Sequence, residues 1–548
     1  METSIGHRGP SANLNLEIKM PAQGLGQRID EHSRDLIRIA AYVFGADQQI
    51  RRGGAADVFG EDWQRDFTLC IPVGDPAFWS KPVVQASLEE TLNFVSDDKW
   101  HFRFTKSRPE EIASSMFDFD PSESLGRPEA VVLFSGGMDS LCAVIEQIAV
   151  AKKRPLLIGH SPAFHLGARQ TDLRSALRLR FPEWHFPVVN CAVHRIATDA
   201  PETSHRTRSF LYAAFGTAVA RALRLDQVHL ADNGVVSLNL PINDQLVGAR
   251  ASRSTHPRFI TLFNQFASNA FGKPPRLENP LWSRTRAETL SILKQANAES
   301  LLEGTNSCAR QRGRTGAQPH CGTCSQCIDR RFATLAMGLE EHDHGERYEV
   351  DIFRHPLPEG DARTMAASYV RFANEVSELT GNEMFHRFPQ LFDCVPKDES
   401  QAVIAEALTD MIRRHGTEVM RVMREQTVAA GDDLVRQRLP ESSLIVLVAG
   451  QTVRSRSPKI SQTPHREDAP LPDAYGRWRK RLTPPQRAVV KHLEQARETG
   501  EEPTRWSELK ATAIGAGGNP TRMQDVFKYD EVWREFVTQP HKGYWQIA

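Results

Sequence analysis

The stretch VVLFSGGMDSLCAV, residues 131–144, constrains the fold more than any other part of the chain. A run of branched apolar residues reads as a buried strand, a Ser-Gly-Gly turn follows it, and a helical pattern begins at once. Glycines let the backbone approach an anion closely. A helix start offers N–H groups and partial positive charge to the same point. The pattern predicts an anion cradle made by Leu133, Phe134, Ser135, Gly136, Gly137, Met138, Asp139 and Ser140. Ser135 and Ser140 each bring a hydroxyl, and Asp139 a carboxylate able to position magnesium or a polar substrate group. The common phosphate loop, G-x-x-x-x-G-K-[ST], needs a lysine to reach the β and γ phosphates. That lysine is missing here, which disfavours ordinary γ-phosphoryl transfer. The bland alternative is a glycine turn that merely joins a strand to a helix.

Around this stretch the chain alternates strand and helix. PLLIGH (155–160), FPVVNCAV (186–193) and QVHLAD (227–232) read as further strands, separated by helical segments at 138–150, 166–180 and 207–224. Short apolar runs alternating with amphipathic helices predict an α/β fold, a doubly wound parallel sheet. Such sheets bind ligands at the carboxyl ends of their strands, which is where SGGMDS falls.

The 548 residues exceed one ordinary domain. Residues 1–28 read as a flexible lead. Residues 29–125 read as a small α+β accessory domain, from the period-two patterns of DFTLCIPV and KWHFRF and the short helix SLEETLNF. Residues 128–345 are the catalytic α/β domain, 346–450 a helical extension and 451–473 a Ser/Pro-rich linker. Residues 474–548, with three helices and a small hairpin, are winged-helix-like. No apolar run approaches the ~20 residues of a membrane span, and the N-terminus lacks a signal-peptide core. A cytoplasmic protein with no membrane partner is expected. The formal net charge of zero gives no bulk argument for nucleic acid.

Four of the eight cysteines, Cys308, Cys321, Cys324 and Cys327, fall within twenty residues in the spacing C-x12-C-x2-C-x2-C. In a reducing compartment such a cluster reads as a metal site, and four thiolates make a closed, structural zinc site. His320 is either a fifth ligand or an exposed loop histidine, the latter being expected.

LFSGGMDS resembles the PP-loop, S-G-G-x-D-S, of the N-type ATP pyrophosphatases, whose fold is adenine nucleotide α-hydrolase-like. With the cysteine cluster it resembles more narrowly the QueC-like 7-cyano-7-deazaguanine synthases. RTRSFL (206–211), NPLWSRTRAETLSIL (279–293) and GTNSC (304–308) fall where that family has matching segments, with Arg206 on a family arginine and Arg286 where lysine is usual. The resemblance covers roughly 128–345. The family's Tyr-Gly-Gln-x-His segment is replaced by HSPAFHLGARQ (160–170), with Gln170 as its remnant, and its substrate segment by residues 233–259. The added domains resemble the longer QueC-like proteins of anti-phage operons, of QatC type or from cyclic-oligonucleotide systems.

The resemblance implies ATP, Mg2+ and a structural Zn2+. It implies that the loop grips pyrophosphate while a carboxylate, 7-carboxy-7-deazaguanine or a relative, is adenylated and then passed to an amine. Ser135, Asp139, Ser140 and Arg206 are the expected catalytic residues. Arg206 either adds positive charge there or is a surface helix arginine. The amine is ammonia or an amine of a protein partner from the same operon. Basic stretches at 249–258, 310–314 and 477–481 leave nucleic acid as a less favoured partner, and a homodimer stays open. A tRNA-modifying enzyme, with Cys142 or Cys191 as sulfur carrier, and a silent ATP-binding scaffold are the alternatives.

Overall fold

The computed structural model describes residues 14–19, 29–52, 64–107, 127–160, 164–195, 202, 206–242, 253–310, 316–396, 398, 400–452, 482–499, 504–515, 526–527, 537–541 and 544–547. The chain divides into two compact units, Met1–Arg51 with Gln64–Ser455, and Arg52–Trp63 with Arg456–Ala548. Among the described residues, no helix is long and apolar enough to cross a membrane.

The strands of the larger unit are β1 (Leu14–Lys19), β2 (Asp66–Val73), β3 (Lys99–Lys106), β4 (Ala130–Leu133), β5 (Pro155–His160), β6 (Val188–Arg195), β7 (Gln227–His229) and β8 (Arg276–Glu278). Six of the described strands form one sheet in the order β1-β6-β5-β4-β7-β8. All neighbours are parallel except β1, which runs antiparallel to β6. From β4 the chain winds outward through β5 and β6, then returns to lay β7 on the other side of β4. Strand order therefore reverses at β4, so the carboxyl ends of β4 and β7 form the edge at which doubly wound sheets bind ligands.

The sequence of β4 explains its central place. All four of its residues are buried, and from Val131 to Phe134, just past its end, the side chains alternate between two cores. Val131 and Leu133 join the cluster around Phe210, Phe215 and Phe263, whereas Val132 and Phe134 join the one around Leu141, Leu173 and Leu290. Helices thus cover both faces, as a doubly wound sheet requires.

Two expectations about the N-terminal region are corrected. Residues 14–19 are an edge strand, not part of a loose lead, with Leu14 opposite Arg195 and Lys19 opposite Asn190. The open edge of β6 offers unpaired backbone groups, and LNLEIK has the alternation to meet them. The 29–125 region does not build a core of its own. Its parallel pair β2–β3 and the helices Pro76–Trp79 and Pro82–Ser96 between them carry Phe67, Trp79, Leu88 and Trp100 into the same cluster as Phe210, Phe263 and Phe266. A two-stranded sheet is too small to bury such side chains alone.

The helical extension centres on one long helix, Gln401–Ala429, which packs on Asp361–Glu378. In the smaller unit, helices Pro484–Thr499 and Trp506–Gly515 surround a core of Val489, Leu493, Leu509 and Val537. Strands β9 (Thr504–Arg505), β10 (Val537–His541) and β11 (Tyr544–Ile547) form an antiparallel sheet in the order β10-β11-β9. The expected third helix, the 451–473 linker beyond its first two residues, and the basic stretch 477–481 lie largely or wholly outside the described residues.

Candidate active site

The loop after β4 ends in the helix Met138–Ile145, whose N-cap is Gly137 and which has no side-chain cap. Its first N–H groups are left for an external acceptor, the arrangement that suits an anion. Gly136 takes φ +80°, and a Cβ there would stand 3.2 Å from Gln170 Cγ, so the turn needs glycine. Ser135 Oγ accepts from Gly137 N at 3.3 Å and donates to Ser140 Oγ at 3.2 Å. Ser135 is exposed, whereas Leu133, Phe134 and Met138 are buried and present only backbone to a ligand.

Two segments from elsewhere hold the loop. Gln170 Nε2 donates to Ser135 O at 3.2 Å, and Asn306 N donates to Gly136 O at 3.1 Å. Asn306 Oδ1 in turn accepts from Cys308 N at 2.9 Å, at the start of the cysteine segment.

Asp139 points inward. Its Oδ2 accepts from Asn233 Nδ2 at 3.1 Å and from Arg286 at 3.4 Å, while Oδ1 is buried with no hydrogen-bond partner. Asn233 also caps the helix Gly234–Leu238 through Oδ1, so one amide ties β7 to the loop. Arg286 follows the capping-box residue Thr285, whose reciprocal bonds with Glu288 fix the helix start. Its guanidinium is buried against Asp139, Asp329 (2.9 Å) and Gln326 (2.9 Å). Burial opposes the charge, but Asp329, Asp139 and Asp232 outweigh it and keep the group protonated.

Asp232, beyond β7, is the half-buried carboxyl beside this pair. Its pKa is pushed up to about 7, chiefly by burial and then by the charge of Asp139, against a Thr255 hydrogen bond and Arg286. Asp232 and Asn233 were not singled out from sequence. Their signal was present, since QVHLAD ends at the carboxyl edge of the sheet, where ligands bind.

Arg206 is buried elsewhere. It donates to Ser96 O at 3.3 Å and lies 3.9 Å from Asp97 Oδ2, so it ties the start of helix Arg208–Leu223 to the N-terminal region. The surface alternative for Arg206 is thereby corrected, since it is buried against the C-terminal end of the helix Pro82–Ser96.

The four cysteines are buried, and their sulfurs lie within 4.8 Å of one another. Cys321 and Cys327 sulfurs are 3.8 Å apart. A tetrahedron with metal–sulfur arms of ~2.3 Å has an edge of about 3.8 Å, so the donor set fits zinc. Gly322 makes the knuckle: φ is +77°, and a Cβ would meet Val350 O at 2.0 Å. His320 is fully buried, which corrects the expected exposed loop residue. Its ring lies 4.9 Å from that of Tyr348, it is outside the ligand set, and burial with Arg330 lowers its pKa to about 3.

The helix that starts in the knuckle, Ser325–Ala336, braces the site on two sides. Its Gln326 and Asp329 hold Arg286. Its Arg330 donates to Thr305 Oγ1 at 2.7 Å, next to Asn306. Cys142, the candidate sulfur carrier, is buried, and burial followed by Asp139 pushes its thiol well up. The side chain of Cys191 lies outside the described residues.

The fold and site define an α/β protein with a glycine loop that lacks the phosphate-loop lysine and a knuckle of four clustered cysteines. Residues 253–338 match the family described as "Queuosine biosynthesis protein QueC". A 7-cyano-7-deazaguanine synthase of Caulobacter vibrioides (strain NA1000 / CB15N) is 28% identical over 234 residues, 37% of this chain and 90% of that protein. The synthase of strain ATCC 19089 / CIP 103742 / CB 15 matches to the same extent. Over the matched region the chain is QueC-like.

Proposed function

We propose that the protein is an ATP-dependent, C–N bond-forming ligase of the deazaguanine-synthase type. Similarity to the Caulobacter synthases and to the QueC family supports this reading. The observation that carries it is the hydrogen bond from Asn306 N to Gly136 O. It joins the cysteine segment to the anion loop and makes two separate motifs into one site.

In this reading the uncapped helix start and the hydroxyls of Ser135 and Ser140 receive the pyrophosphate of ATP. The orphaned Asp139 Oδ1 suits a cation such as Mg2+ accompanying the nucleotide. A carboxylate, 7-carboxy-7-deazaguanine or a relative, attacks the α-phosphorus, and pyrophosphate leaves. An amine then attacks the acyl-adenylate, and AMP leaves. The zinc-bound thiolates have no open position and act structurally. Arg206, committed to Ser96 and Asp97, serves this site by fixing a helix start.

The acceptor is ammonia or an amine of a protein partner encoded nearby, in an anti-phage setting. The support is the chain length outside the region shared with the synthases. Exchange of labelled pyrophosphate into ATP, dependent on 7-carboxy-7-deazaguanine, tests the core of the proposal. No exchange with any deazaguanine acid would leave only a nucleotide-binding scaffold. Intact-mass measurement of co-expressed operon partners tests the acceptor: an unchanged mass on every partner removes the protein-amine branch.

A further inference from the structure

We propose that Asp232 is the general base that takes the proton from the incoming amine in the second half of the reaction. The inference rests on the ligase reading above and adds a residue to it.

Three observations place Asp232 in that role. The first is position. It follows β7, next to β4, at the edge where strand order reverses, and Asn233 beside it bonds the Asp139 carboxylate of the anion loop. The second is rigidity. Asp232 O accepts from Asn279 Nδ2 at 2.7 Å and from Ser237 Oγ at 3.2 Å. Its Oδ2 accepts from Thr255 Oγ1 at 2.9 Å, and that hydroxyl lies 2.9 Å from Ser237 Oγ. The third is availability. Asp232 is half-buried, and its Oδ1 makes no hydrogen bond among the described residues and is not among the fully buried unpartnered atoms, so that oxygen keeps some solvent access.

The charged groups facing Asp232 set its proton affinity. Asp139 on the loop helix raises it, and Arg286 and the exposed Arg208, from two other helices, lower it, with burial as the largest influence. The result, about 7, matches a base that must accept a proton near neutral pH and release it afterwards. The step balances. The amine lone pair forms the bond to the acyl carbon, the bond from that carbon to the AMP oxygen breaks, and one N–H proton passes to Asp232 Oδ1.

The experiment compares wild type with Asp232→Asn in two assays on the full chain, with Tm recorded for both. The first is pyrophosphate exchange driven by 7-carboxy-7-deazaguanine. The second is AMP release with ammonium chloride across pH 6–9. Asp232→Asn should keep exchange within about threefold of wild type and lose about 100-fold in ammonia-dependent AMP release, the ordinary worth of a general base. Once rates are divided by the fraction of free ammonia at each pH, the remaining rise near pH 7 should vanish with it. Hydroxylamine, which is largely unprotonated at neutral pH, should recover much of the deficit. Equal losses in both assays overturn the assignment, because Asp232 then serves adenylation. An unchanged ammonia rate overturns it as well, and so does a wild type that exchanges pyrophosphate but releases no AMP with ammonia. A wild type with no exchange at all removes the ligase reading and this inference together. If Asp232→Asn does not fold, Thr255→Val, which removes one bond to the carboxyl, should move the pH limb while leaving exchange unchanged; an unmoved limb counts against the proposal.

Discussion

By the sequence resemblance Arg286 stands where lysine is usual, and its surroundings suit an arginine. A guanidinium has donors in a planar fork and can serve several acceptors at once, whereas an ammonium is a point charge. Here the fork reaches Asp139, Asp329 and Gln326. Removing the charge would leave two carboxylates buried without a cation. Breaking such a pair from one side typically costs about 3–5 kcal/mol. Arg286→Met should therefore destabilise the larger unit by about that amount in urea unfolding, and a loss below about 1 kcal/mol would show that the carboxylates are satisfied in another way. Arg286→Lys keeps a charge but cannot span the same acceptors. It should recover only part of the stability and raise the KM for ATP, since Asp139 loses its restraint.

At the level of elements, the helical extension is not an appendage to the sheet. Tyr369, on the helix Asp361–Glu378, donates to Asp329 Oδ1 at 2.7 Å, and Asp329 holds Arg286. Tyr369→Phe deletes one hydrogen bond to a charged group, which is worth about 1.5–3 kcal/mol, and the denaturation midpoint should fall accordingly. Glu418, on the helix Gln401–Ala429, accepts from Thr285 Oγ1 at 3.0 Å. Its carboxyl is pushed from 4.5 up to about 7 by burial and then by Glu288, against the Thr285 bond and Arg414. A carboxyl raised in this way holds its proton longer in the folded chain than in the unfolded one. Its contribution to stability therefore falls as pH rises from about 4.5 to about 7. Glu418→Gln should be less sensitive to pH over that window, and identical wild-type and variant slopes would contradict the assignment. These links also mark what the sequence could not disclose. The anion loop and the four cysteines were legible because their chemistry lies in contiguous or closely spaced residues. The bond of Asn233 to Asp139 spans 94 residues and that of Tyr369 to Asp329 spans 40, so only the fold brings them together. His320 was misplaced for the same reason, since the Tyr348 ring that covers it belongs to a later segment. The edge strand β1 was missed although LNLEIK alternates, because a six-residue pattern gains its meaning only from the free edge of β6.

At the scale of the whole molecule, the knuckle and the loop are mechanically continuous. The helix Ser325–Ala336 starts among the thiolates, its Arg330 reaches Thr305, and Asn306 then holds Gly136. Structural zinc in small peptides contributes roughly 10–16 kcal/mol of apparent binding energy at neutral pH. A folded domain keeps only about 5–15 kcal/mol of net stability. If the cysteines hold zinc, its loss would therefore be large enough to release the knuckle, and through Thr305 and Asn306 it should loosen the loop as well. Elemental analysis should find one zinc per chain, held by Cys308, Cys321, Cys324 and Cys327. Chelation, or Cys324→Ser, should lower Tm and abolish pyrophosphate exchange in parallel. It should also raise hydrogen exchange at residues 136–140 as well as at 320–328. The coupling is what this measurement decides. If the cysteine segment becomes labile while 136–140 stay protected and exchange activity survives, the knuckle is a local clasp, and the Asn306 bond does not transmit its state to the anion loop.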